Sequence, residues 1–175
     1  YIDRWWELRR GPLANSAMGE IIDRQAADIS LEKSLLNGMP STTEWQNRLT
    51  QMKTWLTQRA NWIDSNYLRP PAFNRDGGDV PQGFLVTLTG TNGTVYVTTD
   101  GSDPRASGGA PASAARAYTG PFPVGAPTLV KARVKSGSNW SGLASAFFAT
   151  PQDLASLAVT EILYNPVGEG SWESD

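Results

Sequence analysis

The chain contains neither cysteine nor histidine. The first absence excludes disulfides and thiolate nucleophiles. The two together exclude Cys/His zinc sites and every catalytic scheme that needs an imidazole base. Long apolar runs are also missing: no stretch approaches the roughly 18 residues of a membrane span, and no signal peptide is visible. Nor does the chain carry the concentrated basic stripe that nucleic-acid binding would need. What is present is 175 residues, 39% hydrophobic and 18% charged, with a net charge of −2, a profile that reads as soluble and globular rather than disordered. Residues 151–175 hold five acids and no Lys or Arg. Leu157, Val159, Ile162 and Leu163 interrupt that run, so it reads as a solvated loop or an unfinished domain rather than an interaction tail. The chain opens on Tyr1 and closes on Asp175 amid acidic and aromatic residues, which reads as a piece of something longer.

The texture changes near residue 70. Before it, helical spacing dominates. The segment from Ser41 to Leu68 opens with S-T-T-E, a capping box, and continues with Trp45, Leu49, Met52, Leu56, Arg59 and Ile63 at steps of three or four. Trp55 and Trp62 widen that stripe into one broad buried face, and Pro70-Pro71 ends the helix. Two helices are expected ahead of it. One runs from Ile2 to Arg10 with Trp5, Trp6 and Leu8 and stops at Gly11-Pro12. The other is capped by Asn15 or Ser16, has Met18, Ile21, Ile22 and Ile29 on its apolar side, and closes at Gly38-Met39-Pro40. Arg9-Arg10 reads as a solvated helix end near the negative pole of its dipole, and the helical Trp residues read as core.

After residue 70, Gly, Pro, Thr and Val take over. Residues 70–83 suit a turn-rich linker or a strand lead-in. Phe84 to Thr89 alternates as a strand, and Thr91-Asn92-Gly93 predicts a hairpin turn into Thr94–Thr98. Thr128–Val134 and Leu143–Ala149 supply further strands, with more expected around Val80 and Tyr118. Short strands with frequent turns favour a small antiparallel sandwich. L-A-V-T-E-I-L-Y-N-P (Leu157–Pro166) reads as one strand that needs a partner.

Three sets of residues resemble known families. D-R-W-W-E-L-R-R-G-P-L (Asp3–Leu13) with W-L-T-Q-R-A-N-W-I-D (Trp55–Asp64) resembles the C-terminal end of the spore-coat CotH-like kinases. That resemblance implies a kinase-like parent whose nucleotide- and metal-binding residues lie upstream, so none is carried onto this chain. V-Y-V-T-T-D-G-S-D-P-R (Val95–Arg105), Y-T-G-P-F (Tyr118–Phe122) and V-K-A-R-V (Val130–Val134) resemble the chitobiase/β-hexosaminidase C-terminal domain. This second resemblance implies an immunoglobulin-like sandwich appended to enzymes and surface proteins, with no chemistry of its own. Leu157–Pro166 resembles the opening strand of a bacterial lamin-tail domain. The expected architecture is therefore α+β by segregation. Residues 1–70 are the helical part of a CotH kinase-like lobe, with about three helices. Residues 71–150 are the antiparallel immunoglobulin-like β-sandwich, and residues 151–175 are the start of a lamin-tail-like domain.

Candidate chemistry is weighed against plainer roles. In T-D-G-S-D-P, Asp100, Ser102 and Asp103 offer oxygens to a calcium ion, but the spacing is not that of an EF-hand loop. Asp-Gly and Ser-Asp-Pro also suit a tight turn, with Asp side chains bonding nearby N–H groups. N-R-D-G-G-D (Asn74–Asp79) reads the same way. As a glycosidase pair, Asp100 and Asp103 are too close in sequence and too turn-like. No catalytic, cofactor-binding or metal residue is assigned, no cofactor is expected, and the chain is expected not to be an enzyme. Aromatic rings stack on sugar faces, which makes Trp140, in a loop-like S-N-W-S-G context, together with Tyr96 and Tyr118 the candidate ligand contacts. Trp140 as a cap on the end of the sandwich core is the plainer role.

The expected function is a non-catalytic piece of a large bacterial secreted or surface protein, with the sandwich as spacer beside a kinase-like domain. The alternative is an accessory module that binds carbohydrate or protein through the sandwich loops. The expected partners are the remainder of the same polypeptide, with a polysaccharide or a surface protein under the alternative, and neither nucleic acid nor a membrane span. Localisation outside the cell follows from the resemblances alone.

Overall fold

The computed structural model describes residues 1–33 and 41–152. The expectations for Gly38-Met39-Pro40, for Leu157–Pro166 and for the rest of the acidic end lie outside the described residues. Three helices come first: α1 (Ile2–Arg9), α2 (Asn15–Lys33) and α3 (Thr42–Asn66). Ser41 caps α3, its Oγ accepting the Glu44 N–H at 3.2 Å. Only that half of the capping box forms, because the Glu44 carboxylate turns forward to Arg48 at 2.6 Å. Asn15 is already helical and does not cap α2; its amide accepts from Arg9 Nη1 at 3.1 Å and donates to Asn61 at 3.4 Å, tying the helices together. At the far end of α3 the backbone turns extended at Tyr67.

α2 and α3 pack together, with Ile22 and Ala26 of α2 and Ala60 of α3 buried. The broad Trp face expected on α3 is not covered: Trp55 is 62% and Trp62 56% exposed, and Arg59 stacks 4.5 Å over the Trp62 ring. Ile21 and Ile29 of α2 are exposed too. The reason is geometric. Two helices can bury only one strip of each other, and α1 meets α3 at Asp64 and packs on the β part rather than covering that face.

Among the described residues, ten strands follow: β1 (Ala72–Phe73), β2 (Gly78–Asp79), β3 (Phe84–Val86), β4 (Leu88–Thr89), β5 (Thr94–Thr98), β6 (Arg116–Ala117), β7 (Phe122–Val124), β8 (Thr128–Ser136), β9 (Asn139–Trp140) and β10 (Ala144–Ala149). The larger sheet runs β2-β10-β8-β5-β6, with β9 paired to β8; the pairs β1-β4 and β3-β7 lie apart from it. All pairings are antiparallel except β2 with β10. One core joins these layers. Val95, Val97, Val130, Ala132, Val134, Ala146 and Phe148 of the larger sheet meet Val86, Leu88 and Val124, as the alternation of a half-buried strand requires. The α+β layout expected from the sequence is the one observed.

Three local expectations change. Phe84–Thr89 is not one strand but two, split at Thr87. Asn74 causes the split: its side chain takes the Thr87 N–H and donates to the Leu85 carbonyl, both at 3.0 Å. Thr91-Asn92-Gly93 does not close a hairpin, because β4 pairs with β1 and β5 with β8. It arches between layers instead, with Asn92 at a φ of 62° and Gly93 so close to β8 that a Cβ would lie 2.4 Å from the Lys135 carbonyl oxygen. Residues 70–83 serve as a strand lead-in rather than a linker: Pro70 and Pro71 are buried and β1 starts at the next residue.

Candidate functional site

In β8 the alternation is plain: Val130, Ala132 and Val134 point into the core, so Lys131, Arg133 and Lys135 point out. Lys131 and Lys135 are half-buried, yet Arg133 retains only 5% of its surface. Helix α1 covers it. Nη1 and Nη2 of Arg133 donate to Asp3 Oδ1 and Oδ2 at 2.7 and 2.8 Å. Nε and Nη2 donate to Asp103 Oδ1 and Oδ2, both at 2.7 Å. The remaining Nη1 hydrogen goes to the Ser141 carbonyl at 2.8 Å. All five guanidinium hydrogens therefore have an acceptor, the condition under which a buried Arg is tolerated.

Each carboxylate is itself held. Asp3 Oδ1 also accepts the Leu143 N–H at 2.7 Å, and Asp103 Oδ1 the Arg105 N–H at 2.9 Å. The bond from Arg133 holds the Asp3 carboxyl below its ordinary value against the opposing effect of burial. For Asp103 burial pushes up, but the bonds from Arg133 and from the Arg105 N–H outweigh it, and its pKa too is lowered. Burial alone would lower the Arg133 pKa; the two carboxylates reverse that and raise it. All three groups are ionised at neutral pH.

The rest of α1 completes a joint between the helices and the β part. Trp6 is buried against Gly142, where a Cβ would stand 2.6 Å from Trp6 Cδ1 and 3.2 Å from Pro70 Cγ. On the helical side, Asp64 near the end of α3 accepts from Trp5 Nε1 at 2.9 Å and from Arg9 Nη2 at 2.7 Å. Arg9 is thus not a solvated helix end: its side chain is 11% exposed, with Nη1 turned to the Leu13 carbonyl. α1 is a short peg with one carboxylate in the β part and one cation in the helical pair.

The D-G-S-D-P turn serves this joint. Asp100 Oδ1 accepts from the Ser102 N–H at 2.9 Å and the Ser102 hydroxyl at 2.6 Å, and those two bonds lower its pKa. Both Asp103 oxygens are engaged by Arg133. In N-R-D-G-G-D, Gly77 and Gly78 take positive φ, and Arg75 Nε donates to the Gly77 carbonyl at 3.2 Å. Among the described residues no three or more Asp and Glu side chains converge as a metal site would require.

The structure brings two of the three aromatic candidates together and separates the third. Tyr96 lies directly across from Arg133 on β5 and meets the Trp140 ring at 5.6 Å. Trp140 is not in a loop: it belongs to β9, opposite Lys135 of β8. It is 5% exposed, its Nε1 donates to the Gly109 carbonyl at 2.8 Å, and Lys135 Nζ lies 5.8 Å from its ring. Tyr118 is on the other face, packed on the core, and its hydroxyl accepts the Leu88 N–H at 3.1 Å. Asp3 and Arg133 fall inside stretches that carry family resemblances, Asp3–Leu13 and Val130–Val134, but nothing in either stretch relates them to each other or to Ser141 and Leu143. The local signal for the joint is an arginine on the outward parity of a strand whose inward positions are Val-Ala-Val.

Trp140 also lines the floor of a groove of about 630 Å³ between the end of α3 and the β part. A second, smaller cavity of about 320 Å³, lined by Arg10 and Phe73 among others, shares Asp64 and Arg69 with it. No helix among the described residues is long and apolar enough to cross a membrane.

No curated protein and no solved structure gives a significant match to the chain. A family match covers part of the β region and extends neither to the CotH-like stretch nor to the lamin-tail-like one. Residues 75–145, from the loop after β1 into the start of β10, match the family model of the chitobiase/beta-hexosaminidase C-terminal domain.

Proposed function

We propose that this chain is a non-catalytic structural module in which a small sandwich is fixed rigidly to the helices that precede it. The observation that carries this is the Asp3–Arg133–Asp103 clamp. A tether that swings has no use for a buried guanidinium whose two anions come from different parts of the chain. The family match supports the accessory character of the sandwich, since that domain is the C-terminal appendage of carbohydrate-processing enzymes and is typically extracellular. A place beside a kinase-like lobe in a secreted or surface protein of a bacterium fits the same picture. In this proposal no phosphotransfer or hydrolysis belongs to the chain.

Two spin labels test the rigidity. The chain has no cysteine of its own, so Thr54→Cys on α3 and Ser113→Cys in the loop before β6 place one exposed label on each part. The expected result is one narrow interspin distance that broadens when Gly142→Ala drives the Trp6 ring off its seat. A broad distribution in the otherwise unchanged chain would make the sandwich a flexible tether and end the proposal.

A further inference from the structure

The groove above the joint has two walls from different parts of the chain. One is the exit of α3, where Tyr67 is 44% exposed and Arg69 follows. The other is the sandwich end, where Asn92, Arg105 and Asn139 are exposed. Four of these side chains stand on a fixed base. Asn92 is pinned by the arch at Gly93. The Arg105 N–H is held by the clamp residue Asp103. Asn139 shares β9 with the buried Trp140, and Arg69 lies 5.7 Å over the Trp6 ring beside buried Pro70. A preorganised wall lowers the ordering cost of binding.

The chemistry of the groove is specific. Its uncharged polar side chains are amides and hydroxyls, and Tyr67 offers an open aromatic face. Neither Arg69 nor Arg105 has a carboxylate partner among the described residues. The one acid that lines the groove, Asp64, is already neutralised by Arg9. The groove therefore presents two unneutralised guanidiniums among neutral amides and hydroxyls, with Ile2, Leu68 and Trp140 as its apolar lining. A nucleic acid would ask for a continuous basic tract, and the groove carries two separated arginines. An acidic saccharide matches each feature: hydroxyls for the amides, a ring face for Tyr67, and carboxylates for the guanidinium forks.

We propose that the groove between Tyr67–Arg69 and Asn92, Arg105 and Asn139 is a binding site for a uronic-acid oligosaccharide. The site rests on the rigid joint, because without it the two walls have no fixed spacing.

The test is a titration of the full chain, labelled with nitrogen-15, with tetragalacturonate and, separately, with cellotetraose as the neutral counterpart. The expected result is saturable shifts of the Asn92, Arg105 and Asn139 amides with the acidic oligomer, weakening as salt rises. Arg105→Gln should reduce affinity about tenfold, the worth of one charge-assisted contact at an exposed site. Arg105 takes no part in the clamp through its side chain, so the fold is unaffected. Equal binding of the neutral oligomer, or no shift at millimolar tetragalacturonate, overturns the proposal. The spin-label distance separates the two failures: a narrow distance with no binding removes the groove proposal alone, whereas a broad one removes the rigid joint beneath it.

Discussion

Arg133→Met is the most direct test of the joint. The substitution keeps most of the side chain's apolar stem and removes all five donors. Three consequences can be sized. The Ser141 carbonyl, buried, loses its guanidinium donor, which costs about 1–3 kcal/mol for an acceptor left without a partner. Asp3 and Asp103 are left facing each other with no cation between them. Their side chains are 53% and 39% exposed, so water screens that repulsion to under about 1 kcal/mol. Met gives back some packing. The expected net loss is about 2–3 kcal/mol, below the ~3–5 kcal/mol of a broken fully buried pair because both carboxylates can rehydrate. Urea unfolding followed by tryptophan fluorescence reads it, since buried Trp6 and Trp140 flank the clamp. Asp3→Asn should cost about 1 kcal/mol in the unaltered chain and nearly nothing on top of Arg133→Met, because its partner is already gone. A loss under about 0.5 kcal/mol for Arg133→Met, or full additivity of the two changes, would refute the clamp as the link between the two parts.

Two further expectations follow from the same geometry. The pKa values of Asp3 and Asp103 are lowered from 3.8 in the fold, so the unfolded chain takes up their protons first as pH falls. Their contribution is complete above about pH 4–5 and is lost as pH drops through the folded values. Thermal unfolding across pH 2–7 should show that loss in the unaltered chain and much less of it in Arg133→Met. On the opposite face, Tyr118→Phe removes the acceptor of the Leu88 N–H and should cost about 1 kcal/mol in urea unfolding, with the spin-label distance unchanged.

The order of elements and their class were legible in the sequence because they depend on short-range signals. Steps of three and four from Trp45 to Ile63, the Ser41 cap, Pro70-Pro71 and the Val-x-Ala-x-Val of β8 each act within a few residues. The D-G-S-D-P turn was legible for the same reason, since Asp100 bonds only to Ser102. The errors occur where a residue's partner is far along the chain. Phe84–Thr89 alternates perfectly and still breaks, because Asn74 competes for the backbone at Thr87. Trp55 and Trp62 have the spacing of a core stripe but are open, because α1 meets α3 at Asp64 and otherwise packs on the β part, leaving their face uncovered. Trp140 reads as a loop residue but lies in β9, and its burial, in line with the plainer role of a cap on the sandwich core, depends on Tyr96 and on the Gly109 carbonyl, 31 positions away.

Arg133 shows the division most plainly. The sequence by itself determined that residue 133 faces out of the sandwich, since strand alternation leaves no other parity for it between Ala132 and Val134. Which surface would meet it there was decided only by the tertiary structure. Asp3 stands 130 positions earlier, and no periodicity, turn or cap relates the two. They are neighbours because Pro70-Pro71 and Gly142 let Trp6 seat against the sheet, which brings a carboxylate over an outward-facing arginine and converts a surface position into the joint between the two parts.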